Sequence, residues 1–223
     1  GVRKSRYAII RNTYRELIDT TMQTWFDWFP RNIGFYRAMD MKWTLNRVLD
    51  DGTQIYLEVM FRALDRPQDI KKLLSLELTG GWINEAREIP KAVLDMLQGR
   101  VGRYPAFQEF SDIPKDVIDE IYDLMDQDVL IFELPERLLK YLPWTGILMD
   151  TNPPDSDHWW YHLFEEDCPK GFTLFHQPSA KSPEAENIRN LVPGYYNNII
   201  QGKDQEWINV YVHGLYGFIA DGK

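Results

Sequence analysis

Polar side chains that could act on a phosphate group follow three short apolar runs of this sequence. They form the clusters Arg11-Asn12, Asn84-Glu85 and Asp150-Thr151-Asn152. A carboxylate at the end of a strand can orient or deprotonate the water that attacks a terminal phosphate, while a polar neighbour helps to hold Mg²⁺. A Thr hydroxyl and an Asn amide can contact the same phosphate and change partners when it leaves. These residue types indicate phosphoryl transfer as one interpretation.

The second and third clusters also have a purely structural interpretation. Glu85 could cap the following turn or pair with Arg87, since strands often end in a carboxylate. The run 152–154, Asn-Pro-Pro, strongly favours a turn by itself. On spacing alone the structural interpretation is favoured for both clusters.

Phosphate binding also needs a cradle of backbone amides and a lysine, and the sequence contains no G-x-x-x-x-G-K-[ST] motif. Gly80-Gly81 has no following lysine and cannot replace that loop. Lys71-Lys72 could reach a phosphate, but a solvated helix face is the default interpretation of such charges. The residues alone therefore describe an incomplete nucleotide site.

Two histidines and one cysteine are further candidates for metal binding or nucleophilic chemistry. His158 and His162 are four residues apart, but they lack the neighbouring Glu of the H-E-x-x-H signature, and aromatic residues surround them. We expect them to bind no metal. Cys168 is the single cysteine, has no nucleophile motif around it and cannot form an internal disulfide, which favours a reducing compartment.

The clusters lie between apolar runs and periodic segments that predict alternating strands and helices. Asp51-Gly52 indicates a hairpin between two of the strands. We expect a helix capped by Thr13 and another capped by Asp157. The predicted strands span residues 7–10, 42–49, 53–61, 82–83, 146–149 and 172–175. The predicted helices span residues 13–29, 65–76, 90–101, 114–125, 135–141, 157–166, 194–201 and 204–212.

This alternation predicts one α/β domain over residues 1–223, with a mainly parallel sheet and helices on both faces. Functional groups collect at the carboxyl ends of strands in such sheets, where the three polar clusters stand. No apolar run approaches the roughly 18 residues that cross a bilayer, so we expect no membrane contact.

The charge of the chain is uneven. The formal net charge is −9, and residues 105–143 carry −7 of it, with ten acids against three bases. This distribution argues against nonspecific nucleic-acid binding by the whole chain. We expect the segment to be an accessory, helical and acidic element that points away from any DNA.

Four blocks, in order, resemble the ATPase of phage terminase large subunits. The run 74–88, Leu-Ser-Leu-Glu-Leu-Thr-Gly-Gly-Trp-Ile-Asn-Glu-Ala-Arg-Glu, is similar to the Walker B region of that family. The other blocks are residues 9–14, 99–105 and 149–154, and the similarity extends through residues 207–217. The resemblance implies a partial P-loop NTPase core of the RecA/ASCE-like type, carrying residues 105–143 as an insertion.

The resemblance also implies residue roles. Glu85 would be the catalytic carboxylate, and Thr151 and Asn152 the motif that couples hydrolysis to movement. Lys71 or Lys72 would supply a cationic finger to a neighbouring subunit. ATP and Mg²⁺ are the implied cofactors, held by side chains that include Arg11, Asn84 and Glu85. Asn84 stands where many P-loop enzymes have Asp, which implies a weaker Mg²⁺ contact.

The whole protein would then be an ATP hydrolase that drives double-stranded DNA into a viral procapsid, in the host cytoplasm. Its partners would be the DNA, a portal protein and the terminase small subunit, and it would form a homo-oligomeric ring. A Walker A loop would precede Gly1, and residues 190–223 would lead toward a nuclease domain. We expect this chain alone to be inactive. The alternative is a non-catalytic α/β module whose acidic helices bind a protein partner.

Overall fold

A computed structural model describes residues 2–64, 67–109, 113–127, 129–186 and 188–217, except for the side chains of Pro67 and Gln108. The chain divides into two compact units. The first unit contains residues 1–84 and 92–149, and the second contains residues 85–91 and 150–223.

Within the described residues, six strands form one sheet in the order β2-β3-β4-β1-β5-β6. Strand β1 is parallel to both of its neighbours, β4 and β5, whereas β3 is antiparallel to β2 and β4. The sheet is therefore mixed and mostly parallel, as predicted. The strands are β1 Val2–Arg11, β2 Phe35–Arg37, β3 Lys42–Val48, β4 Gln54–Ala63, β5 Gly80–Asn84 and β6 Gly146–Asp150.

The predicted hairpin joins β3 to β4. Gly52 adopts a φ of 82°, which costs glycine little, and the Leu49 N–H donates to the Thr53 carbonyl over 2.8 Å. The Asp51 carboxylate accepts the Thr53 N–H over 2.9 Å, and this bond lowers the pKa of Asp51. Strand β2, only three residues long, was not predicted.

The helices of the described residues are interrupted more often than predicted. The segment predicted as one helix over 13–29 contains α1 Tyr14–Glu16, a π-helical turn Leu17–Thr21 and α2 Met22–Trp28, and the Thr13 side chain caps it as expected. The other helices are α3 Pro67–Leu73, α4 Lys91–Gln98, α5 Lys115–Met125, α6 Glu136–Leu139, α7 Trp159–Tyr161, α8 Tyr195–Ile199 and α9 Gln205–Tyr211.

Helices cover both faces of the sheet in the first unit, as predicted. On one face, Ile9 and Phe61 pack with Leu17 of the π-helical turn and with the fully buried Trp43. On the other face, a Cβ built on Gly81 would lie 2.8 Å from Leu97 of α4. Burying side chains of this size stabilises the fold by roughly 1.5–3 kcal/mol each.

The acidic segment 105–143 has a small hydrophobic cluster of its own, formed around Ile121 of α5 and Leu134 and Leu138 of the α6 region. Its Glu109 accepts a 2.7 Å bond from Lys4, near the beginning of β1. The segment therefore contacts the end of β1 that lies opposite to Arg11. That it is an insertion stays a prediction.

The second unit corrects two predictions. Residues 172–175 form no strand: Phe172 packs on the Phe164 ring at 5.8 Å, and Phe175 is exposed. Phe172 therefore meets a helical segment, and the run does not pair with a strand. The N-cap of α7 is His158, not Asp157, because the His158 side chain accepts the Trp160 N–H. The helix continues from α7 as a π-helical segment, His162–Asp167.

Candidate functional site

Strand β5 places Asn84 beside the last residue of β1. Glycines open β5 because a Cβ on Gly80 would lie 2.7 Å from both the Tyr7 ring and the Gly146 carbonyl oxygen. Ile83 is then fully buried, and Ile10 pairs with it in register. Such close packing fixes where the strand ends.

Glu85, directly after β5, has a left-handed backbone with φ 53° and ψ 58°. This conformation costs a side chain other than glycine roughly 1–2 kcal/mol, and strained residues of this kind cluster at functional sites. A 3₁₀ turn follows, in which the Glu88 N–H donates to the Glu85 carbonyl over 3.0 Å. The half-buried carboxylate of Glu85 thus stands at a sharp turn.

The segment after Glu85 is bonded to the segment after β6 within the second unit. The Arg87 N–H donates to the Thr151 hydroxyl oxygen over 3.2 Å, and that hydroxyl donates to the Asn152 carbonyl over 3.1 Å. Both side chains of the predicted coupling motif are half-buried. The structure thus joins the segments that carry two of the predicted functional clusters.

His158 makes a second connection to the same turn. Its Nδ1 accepts the Trp160 N–H over 3.1 Å, so Nε2 carries the ring proton and donates to the Arg87 carbonyl over 3.0 Å. Burial lowers the pKa of His158, which favours the neutral ring. Trp159 adds a bond from its indole N–H to the Ile89 carbonyl over 2.9 Å.

In the first unit, Arg11 and Asn84 form a separate buried cluster. The Arg11 side chain is 8% exposed; one of its nitrogens lies 3.5 Å from the Asn84 carbonyl and another lies 3.7 Å from the Glu16 carboxylate. The buried Thr21 hydroxyl donates to the Asn84 side-chain oxygen over 2.6 Å. This arrangement holds the guanidinium of Arg11 between the Asn84 carbonyl and the Glu16 carboxylate.

The same cluster bears on the predicted Mg²⁺ contact of Asn84. A metal there would share the amide oxygen with the Thr21 hydroxyl and would lie close to the Arg11 charge, which opposes a cation. Within the part of the chain that the structure describes, no group of three or more His, Cys, Asp or Glu side chains could hold a metal. The Mg²⁺ role of Asn84 stays a prediction.

Lys71 and Lys72 lie on α3 of the first unit, and both are exposed. Lys72 forms an ion pair with Asp69 over 2.6 Å. Exposed lysines on a short helix are as typical of a solvated helix face as of a cationic finger. The role as a cationic finger toward a neighbouring subunit therefore stays a prediction.

Thr21 and the bonding role of His158 were missed by the sequence reasoning. Thr21 is buried at 2% exposure inside a segment whose helical period marks mainly apolar residues. The spacing of His158 and His162 suggests only a metal site. The position of His158 directly before an apolar helix start fits an N-cap, but Asp is preferred over His there, so the sequence favoured the neighbouring Asp157. The bond of His158 to Arg87 spans 71 residues of sequence and has no local signal.

No protein-family model matches the chain, and no curated protein matches it. Solved structures of the large terminase from a thermophilic bacteriophage do match. One aligns with 96% of this chain and 41% of its own, with a TM-score of 0.61 at 11% identity. Its complex with ADP covers the same shares with a TM-score of 0.57 at 10% identity. Its complex with ATP-γ-S covers 96% and 40% with a TM-score of 0.54 at 11% identity.

These matches establish the fold. The chain is an α/β protein with a mixed, mostly parallel sheet. More particularly, it has the fold found in the large terminase of a phage, and it spans about two fifths of the length of the matched chains. Among the described residues, no helix is long and apolar enough to cross a membrane.

Proposed function

We propose that this chain is the part of a viral DNA-packaging ATPase motor that carries the catalytic carboxylate, Glu85. The observation that supports it most is the strained turn of Glu85 at the end of β5, bonded through Arg87 to Thr151 after β6. It occurs in a chain with the fold of a phage large terminase. Glu85 would orient or deprotonate the attacking water.

The other residues would divide the work of phosphate binding and coupling. Arg11 would offer a buried positive charge to the nucleotide phosphates, and Asn84 would contact Mg²⁺ weakly. Thr151 and Asn152 would respond to loss of the terminal phosphate and pass the change to the segments bonded to them. Lys71 or Lys72 would act on a nucleotide held by a neighbouring copy.

Nucleotide binding by this scheme needs a phosphate loop from residues outside the 223-residue sequence. Among the described residues, β6 closes the sheet on one side, and its outer backbone edge can pair with a further strand. We propose that the strand leading to the phosphate loop lies there, at the end of the sheet where the predicted functional clusters stand. ATP and Mg²⁺ would be the cofactors, and double-stranded DNA the substrate moved.

The test compares ATP turnover by the 223-residue chain with turnover by the complete gene product. We expect the chain alone to stay below about 1 s⁻¹, because it lacks the phosphate cradle, and the complete product to reach that rate or more with Mg²⁺. A complete product that has no phosphate loop and binds no ATP would contradict the proposal. Turnover at that rate by the chain alone would contradict the stated need for the loop.

A second candidate, a non-catalytic module that binds a protein partner, is favoured by the surface of the acidic segment. Tyr122, Met125 and Phe132 are each about half exposed there, beside many carboxylates. A complete gene product that never binds ATP but retains a protein partner through residues 105–143 would support this candidate over the motor.

A further inference from the structure

The left-handed turn at Glu85 needs an external support, because its backbone conformation is unfavourable for glutamate. The turn itself contains two bonds, from the Glu88 N–H to the Glu85 carbonyl and from the Ile89 N–H to the Ala86 carbonyl, both 3.0 Å long. Such 3₁₀ bonds have poor geometry and contribute little alone. Further support comes from residues that are distant in the sequence.

Three bonds within the second unit reach this turn from the segment 151–159. Thr151 accepts from the Arg87 N–H, His158 donates to the Arg87 carbonyl, and Trp159 donates to the Ile89 carbonyl. Both polar groups of the Arg87 peptide backbone are therefore occupied. Ala86 and Ile89, on either side, are buried. The backbone after Glu85 is thus tied at several atoms.

His158 is the member of this set with two separate tasks. Its Nδ1 caps the helix that starts at Trp159, and its Nε2–H holds the Arg87 carbonyl. Because the cap fixes which nitrogen carries the proton, it also ensures that the other nitrogen is a donor. The helix start and the Glu85 turn are therefore aligned by one ring.

We propose that His158 is a positioning residue for Glu85, which fixes the carboxylate for reaction by holding the Arg87 carbonyl. The proposal rests on the proposed function, in which Glu85 acts on the attacking water. Small displacements of a catalytic group lower the rate of the chemical step strongly, while substrate affinity, supplied elsewhere, changes little. Loss of the bond should therefore lower kcat with little change in KM.

Two substitutions separate the tasks of His158. In His158→Asn the amide oxygen can still cap the helix, but the shorter side chain cannot reach the Arg87 carbonyl. In His158→Gln the longer side chain can still donate from its amide to that carbonyl. It has no acceptor at the position of Nδ1, so the helix cap is lost. His162→Ala is the matched control, since His162 lies on the same helix and bonds Glu166 over 2.5 Å.

The first measurement is hydrogen exchange at the amides of residues 86–89 in the 223-residue chain, which needs no enzymatic activity. We expect exchange about fivefold faster in His158→Asn, as for the loss of one hydrogen bond, and near wild type in His158→Gln and His162→Ala. Unchanged exchange in His158→Asn would overturn the proposed support of the turn.

The second measurement is ATP turnover by the complete gene product. We expect kcat to fall roughly tenfold in His158→Asn, with the KM for ATP within about twofold, and to recover in His158→Gln. An equal fall of kcat in His158→Asn and His158→Gln would indicate a merely structural role. If Glu85→Gln is inactive in the same assay, an unchanged kcat in His158→Asn would overturn the positioning role. A wild-type product without turnover would refute the proposed function, while the exchange result would still decide whether His158 supports the turn.

Discussion

The backbone N–H of Arg87 donates a hydrogen bond to the side-chain oxygen of Thr151 over 3.2 Å. Arg87 lies two residues after Glu85, and Thr151 lies directly after the last residue of β6. The bond thus ties the turn of the predicted catalytic carboxylate to the predicted coupling motif. A change at either segment can reach the other through one contact.

Thr151→Val tests this bond by removing the hydroxyl while keeping the shape of the side chain. The Arg87 N–H would lose its acceptor in a partly buried place, so we expect the free energy of unfolding to fall by about 1 kcal/mol. Thr151→Ser keeps the oxygen and serves as the control. Chemical denaturation of the two variants measures the difference, and equal stabilities would show that the bond contributes nothing.

Gly34→Ala should destabilise the first unit by roughly 1–3 kcal/mol, the usual cost of overpacking. A Cβ at this position would lie 2.5 Å from the Trp43 ring, which is fully buried, and 2.6 Å from the Thr44 carbonyl oxygen. Neither neighbour can move without disturbing the sheet.

Gly99→Ala is the matched control for Gly34→Ala, because its Cβ would make an ordinary contact of 3.6 Å with the Met96 carbonyl oxygen. Thermal or denaturant unfolding should place this variant within about 0.5 kcal/mol of wild type. If Gly34→Ala were as stable as Gly99→Ala, the packing of Trp43 against Gly34 would be refuted.

Glu58 should make the stability of the first unit depend on pH in the acid range. Burial raises the pKa of this carboxyl, but the bonds from Lys42 over 2.8 Å and from Arg6 over 2.5 Å, with their charges, lower it below its ordinary value of 4.5. A lowered folded-state pKa contributes stability that is present above the unfolded-state pKa and lost as the pH falls through the folded-state pKa.

Glu58→Gln should therefore lower the free energy of unfolding at pH 7 by roughly 2 kcal/mol, since hydrogen bonds to charged groups contribute about 1.5–3 kcal/mol. The loss of stability as the pH falls from about 5 through the lowered folded-state pKa should also become smaller than in wild type. Glu206→Gln, at an exposed position of α9, is the control. An unchanged pH dependence in Glu58→Gln would contradict the argument.

His158 and His162 should bind no zinc. Both ring nitrogens of His158 already take part in hydrogen bonds, and His162 bonds Glu166, which raises the pKa of His162 and so favours the protonated ring, a poor ligand. Metal analysis of the purified chain should find no stoichiometric zinc. Zinc that is lost in His162→Ala would overturn this prediction.

Much of the fold could be predicted because its signals are local. The apolar run ending at Arg11, the Asp51-Gly52 hairpin and the Thr13 cap each depend on a few adjacent residues, and the structure confirms them. Strand β2 was missed because three residues are too few to show a period. The run 172–175 was misassigned because Phe172 packs on Phe164 of the preceding helical segment and Phe175 is exposed, so the run does not face a strand.

Less of the candidate site could be predicted. The strand ends at Asn84 and Asp150 could be predicted, because each ends a hydrophobic run of the sequence. The left-handed backbone of Glu85 did not, because nothing in its residue type favours that conformation. The bonds that tie the turn to Thr151 and His158 join residues 64 and 71 positions apart, and a single sequence contains no record of such pairs.

The most direct test of the central claim is single-turnover ATP hydrolysis by the complete gene product carrying Glu85→Gln. Glutamine keeps the size of the side chain but removes the base and its charge. ATP should still bind, because a phosphate loop and its lysine supply most of the affinity, while hydrolysis should fall by roughly 10² to 10⁴. Glu88→Gln, at the exposed carboxylate three residues later, should hydrolyse ATP like wild type. Hydrolysis by Glu85→Gln within about twofold of wild type, with ATP binding unchanged, would contradict the assignment of Glu85 as the catalytic carboxylate.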